Sequence, residues 1–390
     1  MGRPARCVVV GAGLAGLRAA ESLVRHGFEG EVAVLGDETL PPYSRPPLSK
    51  EALAGSDATE APLFRTRGYS TVTWHLGTKV ARANLREGTV TTARGRTLEF
   101  DGLVVASGVR PRRLVVAGPE RGRLALRSYE DLRQVRKAVK RQSRVVIIGA
   151  GFLGCEIAST LARRGLTVDV VMREPAPMAS AVGEIAGQSM RDRLERTGAR
   201  FHRADVLQCK GSARVEAVDL STGQTLPTDL VIEAVGSVPN TEWLEGNGLD
   251  LTSGVTCASD LRVLGTGNAV ACGDIAAVPY ASGPATRIEH WAAASDTGNA
   301  AGATLAHLLN GTWPQPAPAL LPTFWSDQAG IRIQGLGMPS RGIADVRVLE
   351  GELHDRAVLG YHGPDGALTG VVLINAGDRQ RFYRDKLLAA

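Results

Sequence analysis

The sequence predicts an α/β protein, made of two copies of one strand–turn–helix–strand unit with a small α+β domain after them. Three observations carry this. Residues 7–37 read CVVVGAGLAGLRAAESLVRHGFEGEVAVLGD, and residues 145–175 read VVIIGAGFLGCEIASTLARRGLTVDVVMREP. In each, a short apolar run leads into G-x-G-x-x-G, a helical pattern and a second apolar run. Beyond residue 320 the pattern changes to strand-like runs (IRIQGLG, VVLIN) and a last helical stretch. Two Rossmann-like domains and a smaller one also suit 390 residues, at about 100–200 residues per domain.

The elements follow in chain order. Gly11 and Gly149 open each fingerprint and permit the tight turn out of the strand. Gly13 and Gly151 let the backbone approach a pyrophosphate, and Gly16 and Gly154 let helix close on strand. The helix start then offers free N–H groups and a positive dipole end to phosphate. An acid after the second strand suits ribose hydroxyls; Gly36 holds the usual strand-end position, so either Asp37 or Glu38 can serve. Residues 102–107, 230–235 and 263–272 read as further strands, each with glycine close behind. Residues 128–142 read as a helix capped by Ser128, with acids early and bases late. Residues 291–310 form an alanine-rich helix, and Pro314, Pro316 and Pro318 mark a linker.

Composition narrows the class. With 44% hydrophobic and 22% charged residues the chain is ordinary globular material. No apolar run reaches the length of about 18 that spans a bilayer. After Met1-Gly2, Arg6 stands where a myristoylation signal needs Ser or Thr, and no signal-peptide apolar stretch follows. A cytoplasmic protein without membrane partner is expected. Cys7, Cys155, Cys209, Cys257 and Cys272 are scattered and form no CxxC, so no disulfide framework or metal site is expected. No cysteine pair follows the first fingerprint, and residues 39–50 contain none, which argues against thiol-based redox chemistry. Cys272 reads as a small buried hydrophobe. The net charge is +5, and Arg110, Arg112, Arg113, Arg121, Arg123, Arg127, Lys137, Lys140 and Arg141 form a basic stretch. It suits an acidic protein partner. No aromatic interleaving supports nucleic acid.

At PPYSRPPLSK (41–50), LVVASGVRP (103–111), the second fingerprint, AVGSVPN (234–240), CGD (272–274), IEHW (288–291) and FWSDQ (324–328) the chain resembles a known family. It is similar to the FAD-dependent NAD(P)H:ferredoxin and rubredoxin reductases of bacterial cytochrome P450 and aromatic-ring dioxygenase systems. These have the pyridine nucleotide-disulfide oxidoreductase fold without its redox disulfide. The resemblance implies an FAD domain split into 1–112 and 239–318, an NAD(P)H domain at 113–238 and a C-terminal α+β domain at 319–390. It implies a Lys50–Glu156 pair that tunes the flavin at N5, with Arg45 as a second cation. Read by position, Glu156 is no more than an acid in the first turn of its helix. The resemblance further implies flavin contacts at Asp274, Trp291 and Trp325, and cofactor contacts at Leu14, Ala15, Val80, Ala106, Ser107, Gly108, Phe152, Leu153, Gly236, Gly273, Glu289 and His290. An iron–sulfur ferredoxin, and through it a P450 or other oxygenase, would be the partner of a monomer or weak homodimer.

Four positions depart from the family. Met172 replaces the acid that holds an NADH ribose and Arg173 follows it, which leans toward NADPH over NADH, with Glu174 left as an acid that can compensate. Ser44 replaces Asp, Ser107 replaces Thr and Thr297 replaces Gln, each keeping a polar group. Two other functions remain on this fold: a flavoenzyme acting on a small molecule or oxygen directly, and a redox-sensing interaction protein.

Overall fold

The computed structural model describes residues 3–55, 60–280, 283–312 and 320–389. The proline linker at 314–318 and the Met1-Gly2 start lie outside the described residues. The chain divides into two compact units. One comprises Met1–Ser44, Pro62–Arg110 and Pro239–Pro322; the other comprises Arg45–Ala61, Pro111–Val238 and Thr323–Ala390.

In the first unit a five-stranded sheet has the order Ala269–Ala271, Gly102–Val105, Arg6–Val10, Glu31–Leu35, Val72–His75. Every pairing in it is parallel. Its inner strands read as nearly continuous apolar runs because a parallel sheet is covered on both faces, whereas the edge strand Val72–His75 reads VTWH and is partly exposed. The helix Leu14–Arg25 connects the first two strands. It packs on the helix Trp291–Leu309 through small residues: a Cβ on Gly298 would stand 2.6 Å from Ala15 O, and one on Gly302 2.4 Å from Ala19 O. A three-stranded antiparallel sheet, Val80–Asn84, Thr89–Thr92 and Thr97–Glu99, lies between the strands Val72–His75 and Gly102–Val105 in sequence.

The second unit repeats this plan. Its parallel sheet runs Ala199–Arg203, Thr167–Met172, Arg144–Ile148, Leu230–Glu233, Arg123–Leu124. The helix Phe152–Arg163 makes the first connection, and a three-stranded meander, Val206–Lys210, Ala217–Leu220 and Thr225–Pro227, again precedes the return strand. The internal repeat is therefore longer than the two fingerprints and includes the meander and the strand after it. The same unit holds a five-stranded antiparallel sheet in the order Thr323–Gln328, Ile331–Gly337, Leu368–Ile374, Ala357–His362, Val346–Gly351, and the helix Gln380–Ala389. The α/β class with a smaller C-terminal sheet is as the sequence predicts.

Some local expectations shift. The helix expected over 128–142 runs Tyr129–Ala138; Ser128 caps it in a reciprocal capping box with Asp131. Of the strand expected over 263–272 only Ala269–Ala271 forms, because Gly265 takes a positive φ of 84° and breaks the extended run. Arg123 is not part of a solvated basic face. Its side chain is 1% exposed, and it pairs with the fully buried Glu233 at 2.7 Å. Glu233 also accepts the Leu114 N–H and faces Arg113, and Glu120 pairs with both arginines, so two of the expected docking cations are offset by two carboxylates.

Candidate functional site

The two glycine turns are built by the same sterics. Gly11 has φ 118° and Gly149 φ 106°, and a Cβ would stand 2.0 Å from Ala106 O at the first and 2.2 Å from Ala234 O at the second. The third glycines meet the first: a Cβ on Gly16 would lie 1.9 Å from Gly11 O, and on Gly154 2.0 Å from Gly149 O. The middle glycines differ in kind. Neither Gly13 nor Gly151 has any atom within 4 Å of a Cβ position. Each is the N-cap of its helix, and neither helix start has a side-chain cap. Open space therefore faces uncapped N–H groups at two helix starts, the donor set a pyrophosphate takes.

Around the first turn, Gly36 is buried and a Cβ there would stand 2.5 Å from the Ala12 side chain, which explains why an acid does not occupy that position. Asp37 is exposed, while Glu38 accepts the Tyr43 hydroxyl at 2.5 Å. Ala106 and Val80 are buried. Ser107 donates to Asn240 O and accepts the Trp243 indole N–H, and Asn240 N donates to Gly108 O. The serine found in place of Thr thus fastens the chain where it re-enters this unit. Gly273, with φ 72°, donates its N–H to Thr297 Oγ1 at 2.9 Å. Thr297 is 2% exposed, so the replacement of Gln leaves a hydroxyl that holds the Gly-Asp turn. Asp274 O accepts from Arg287, whose guanidinium also pairs with Glu289 at 2.7 Å. His290 precedes the helix that Trp291 opens, and burial drives its imidazole down to about 4.

In the second unit Phe152 and Leu153 begin the helix after Gly151, with Phe152 against Phe324. Gly236 has φ 92°, and its carbonyl accepts the Arg112 N–H. Met172 is buried; Arg173 is exposed and pairs with Asp205 at 2.6 Å. Glu174 accepts the Ser180 N–H. Arg45 donates to Arg127 O.

Lys50 and Glu156 are brought together inside this unit. The strand-free loop folds as a turn of 3-10 helix over Pro46–Ser49, where proline suits the first positions. Lys50 Nζ lies 2.8 Å from Glu156 Oε1, with side chains 13% and 9% exposed. Glu156 is not a first-turn acid as its position suggested; no acid sits in that turn, and Glu156 points into a buried network. Ser49 donates to its Oε2 and Ser326 to its Oε1, both at 2.5 Å. Sequence reasoning missed Ser326 and Gln328 as site residues. Strand periodicity is the one sequence signal for them: it sets Phe324, Ser326 and Gln328 on one face, which the structure turns inward, and Trp325 on the other.

None of the five cysteines presents a nucleophile. All are buried. Burial pushes the thiols of Cys155 and Cys272 well above their ordinary range, and that of Cys257 to about 12. Among the described residues no group of three or more His, Cys, Asp or Glu could hold a metal ion, and no helix is long and apolar enough to cross a membrane.

The fold and its two open glycine turns define an oxidoreductase of the class that carries two dinucleotide-binding units and works without a thiol pair. Residues 5–298 match the pyridine nucleotide-disulphide oxidoreductase family and residues 323–390 the reductase C-terminal domain, and the chain belongs to that family. It is 31% identical over 378 residues to the biphenyl dioxygenase system ferredoxin–NAD(+) reductase component of Paraburkholderia xenovorans (strain LB400), covering 94% of this chain and 89% of that protein. It is 34% identical over 365 residues to the p-cumate 2,3-dioxygenase system ferredoxin–NAD(+) reductase component of Pseudomonas putida, covering 90% and 84%. The crystal structure of a covalent putidaredoxin reductase–putidaredoxin complex contains a chain that superposes with a TM-score of 0.90 at 28% identity, covering 99% of this chain and 93% of that one.

Proposed function

We propose that this chain is an FAD-dependent NAD(P)H:ferredoxin reductase supplying a cytochrome P450 or other oxygenase through an iron–sulfur ferredoxin, with NADPH as its preferred donor. The observation that carries the reading is the pair of open, uncapped glycine turns on two repeats of one plan. Two such turns suit two dinucleotides, FAD on the first repeat and the nicotinamide nucleotide on the second. The donor sets fit: phosphate oxygens would take the uncapped N–H groups at the helix starts behind Gly13 and Gly151, and Glu38 or Asp37 would take the FAD ribose. FAD supplies acceptance of a hydride at N5 and release of electrons one at a time.

The protein's own residues bind, orient and tune. Lys50, paired to Glu156 and shielded from water, sets the electrostatics of the flavin. The Gly273–Thr297 contact fixes the turn that presents Asp274. No protein acid or base is required for hydride transfer. Arg173 carries the donor preference: a 2′-phosphate offers it more charge than the exposed Asp205 carboxylate it faces. The relatives' printed names specify NAD(+), so donor choice is where this chain is expected to differ from them.

The test is stopped-flow reduction of the purified flavoprotein by NADPH and by NADH, followed by cytochrome c reduction with and without a [2Fe–2S] ferredoxin. The reading expects rapid bleaching, faster with NADPH, and turnover that depends on ferredoxin. Bleaching by neither nucleotide would overturn it, and bleaching without ferredoxin-dependent turnover would replace it with direct small-molecule chemistry.

A further inference from the structure

The Lys50–Glu156 pair is held from outside by the C-terminal sheet. Glu156 Oε1 faces the Lys50 ammonium and also takes the Ser326 hydroxyl at 2.5 Å, while Oε2 takes the Ser49 hydroxyl at 2.5 Å. Toward the ammonium the carboxylate acts as an acceptor, so both serines must donate. A serine has one hydrogen, and Ser326 has given its own to Glu156. Its lone pairs are left to accept, and Gln328 Nε2 donates to them at 3.1 Å. The same Nε2 reaches Met178 Sδ at 3.4 Å, and Met178 N donates to Ala150 O inside the second glycine turn at 2.8 Å. With its nitrogen so directed, Gln328 leaves Oε1 buried and without a hydrogen-bond partner among the described residues. A buried acceptor without a partner is destabilising. Ser326 is fully buried and Gln328 3% exposed, so no water competes for either contact.

We propose that Ser326, itself oriented by Gln328, is a positioning residue for the Lys50–Glu156 pair: it fixes the rotation of the Glu156 carboxylate and thereby where the Lys50 charge sits. The inference deepens the proposed function and rests on that reading of the pair. Without the Ser326 hydroxyl, Lys50 alone holds Oε1 while Ser49 still holds Oε2, so the carboxylate loses one of its three anchors and the Oε1–Lys50 contact loosens. Loss of this charge-assisted hydrogen bond is expected to slow flavin reduction roughly tenfold.

The experiment uses the flavin-loaded protein. Ser326→Ala, Ser326→Thr and Gln328→Met are each made in the wild-type and in the Glu156→Gln background. Two quantities are read: the rate of flavin reduction by NADPH, and the flavin midpoint potential by dithionite titration. Ser326→Ala is expected to slow reduction about tenfold and to move the potential in the direction Glu156→Gln moves it. In the Glu156→Gln background it adds nothing, because it acts through that carboxylate. Ser326→Thr restores the hydroxyl and both readouts. Where Ser326→Ala fails to retain flavin, Gln328→Met gives the same pattern at about threefold. Equal effects in both backgrounds, or none in either, would overturn the proposal. A wild-type protein that neither nucleotide reduces would defeat the functional reading instead, and the potentials would still decide whether Ser326 and Glu156 are coupled.

Discussion

Glu156 keeps two hydroxyl donors when its ion-pair partner Lys50 is removed. Lys50 Nζ lies 2.8 Å from Glu156 Oε1, yet the carboxylate also has two hydroxyl donors. Breaking a buried pair usually costs about 3–5 kcal/mol, because it strands a charge. Here Ser49 and Ser326 still satisfy Glu156, so Lys50→Met is expected to cost only about 1–2 kcal/mol of stability. Flavin reduction should fall much further, by about 10–100-fold, since the lost charge acts on the flavin. Chemical unfolding beside stopped-flow reduction checks this; a stability loss matching the full cost of a stranded charge would show that the serines do not hold the carboxylate.

The glycine turns separate folding from binding. Gly13 has φ −83° and open space at its Cβ position, so Gly13→Ala is expected to lose FAD and to melt where the flavin-free wild type melts. Gly151→Ala, at φ −72°, is expected to keep FAD and lose nicotinamide-driven reduction. Gly11→Ala is expected not to fold, because it places a Cβ 2.0 Å from Ala106 O at φ 118°. Melting curves and bound-flavin content distinguish the three. A flavin-replete Gly13→Ala protein would mean that the space above the turn is not where the pyrophosphate lies.

Arg173 and Asp205 compete for donor choice. The pair is exposed on both sides, so it contributes little to stability. Arg173→Ala should raise KM for NADPH about tenfold while leaving KM for NADH nearly unchanged. Asp205→Asn frees the guanidinium and should lower KM for NADPH. Steady-state kinetics with both donors decides; an Arg173→Ala protein that keeps its preference would assign that preference elsewhere.

His290 gives the acid limb of stability a signature. Burial holds its imidazole down at about 4, against upward pulls from Asp274 and Glu289. An unfolded histidine protonates near 6.5, so between those values the unfolded chain binds the extra proton. The stabilising difference is complete above pH 6.5 and is lost as pH falls toward 4, by about 3 kcal/mol in full. Melting temperature is expected to fall over that window, and less steeply in His290→Gln. Parallel curves for the two proteins would remove His290 as the cause.

Residues whose role is local were legible in the sequence. Gly11, Gly16, Gly149 and Gly154 are set by their own turn, so the pattern carries their function. Ser128 and its capping box are equally local. Lys50 and Glu156 were legible as a pair only through family resemblance, since nothing in either segment points to the other. Ser326 and Gln328 were harder still: strand alternation shows that they face inward together, but not that a carboxylate meets them there. Arg123 looked solvated because it lies in a charge run, and only the fold brings the buried Glu233 beneath it. The apolar stretch at 263–272 reads as one strand with Gly273 behind it, but Gly265 lies inside the run and divides it.

The first unit is discontinuous, and this fixes an order of assembly during synthesis. Asn268 reaches back to Asp101 O across 167 positions, beside the strand Ala269–Ala271 that pairs with Gly102–Val105. The helix Trp291–Leu309, which covers Leu14–Arg25 through Gly298 and Gly302, emerges from the ribosome later still. The early residues of this unit must therefore wait, partly open, while the whole inserted repeat is made, whereas that repeat has its parallel sheet complete once Leu230–Glu233 has appeared. A nascent chain thus holds all the strands of its second parallel sheet before it holds all those of its first.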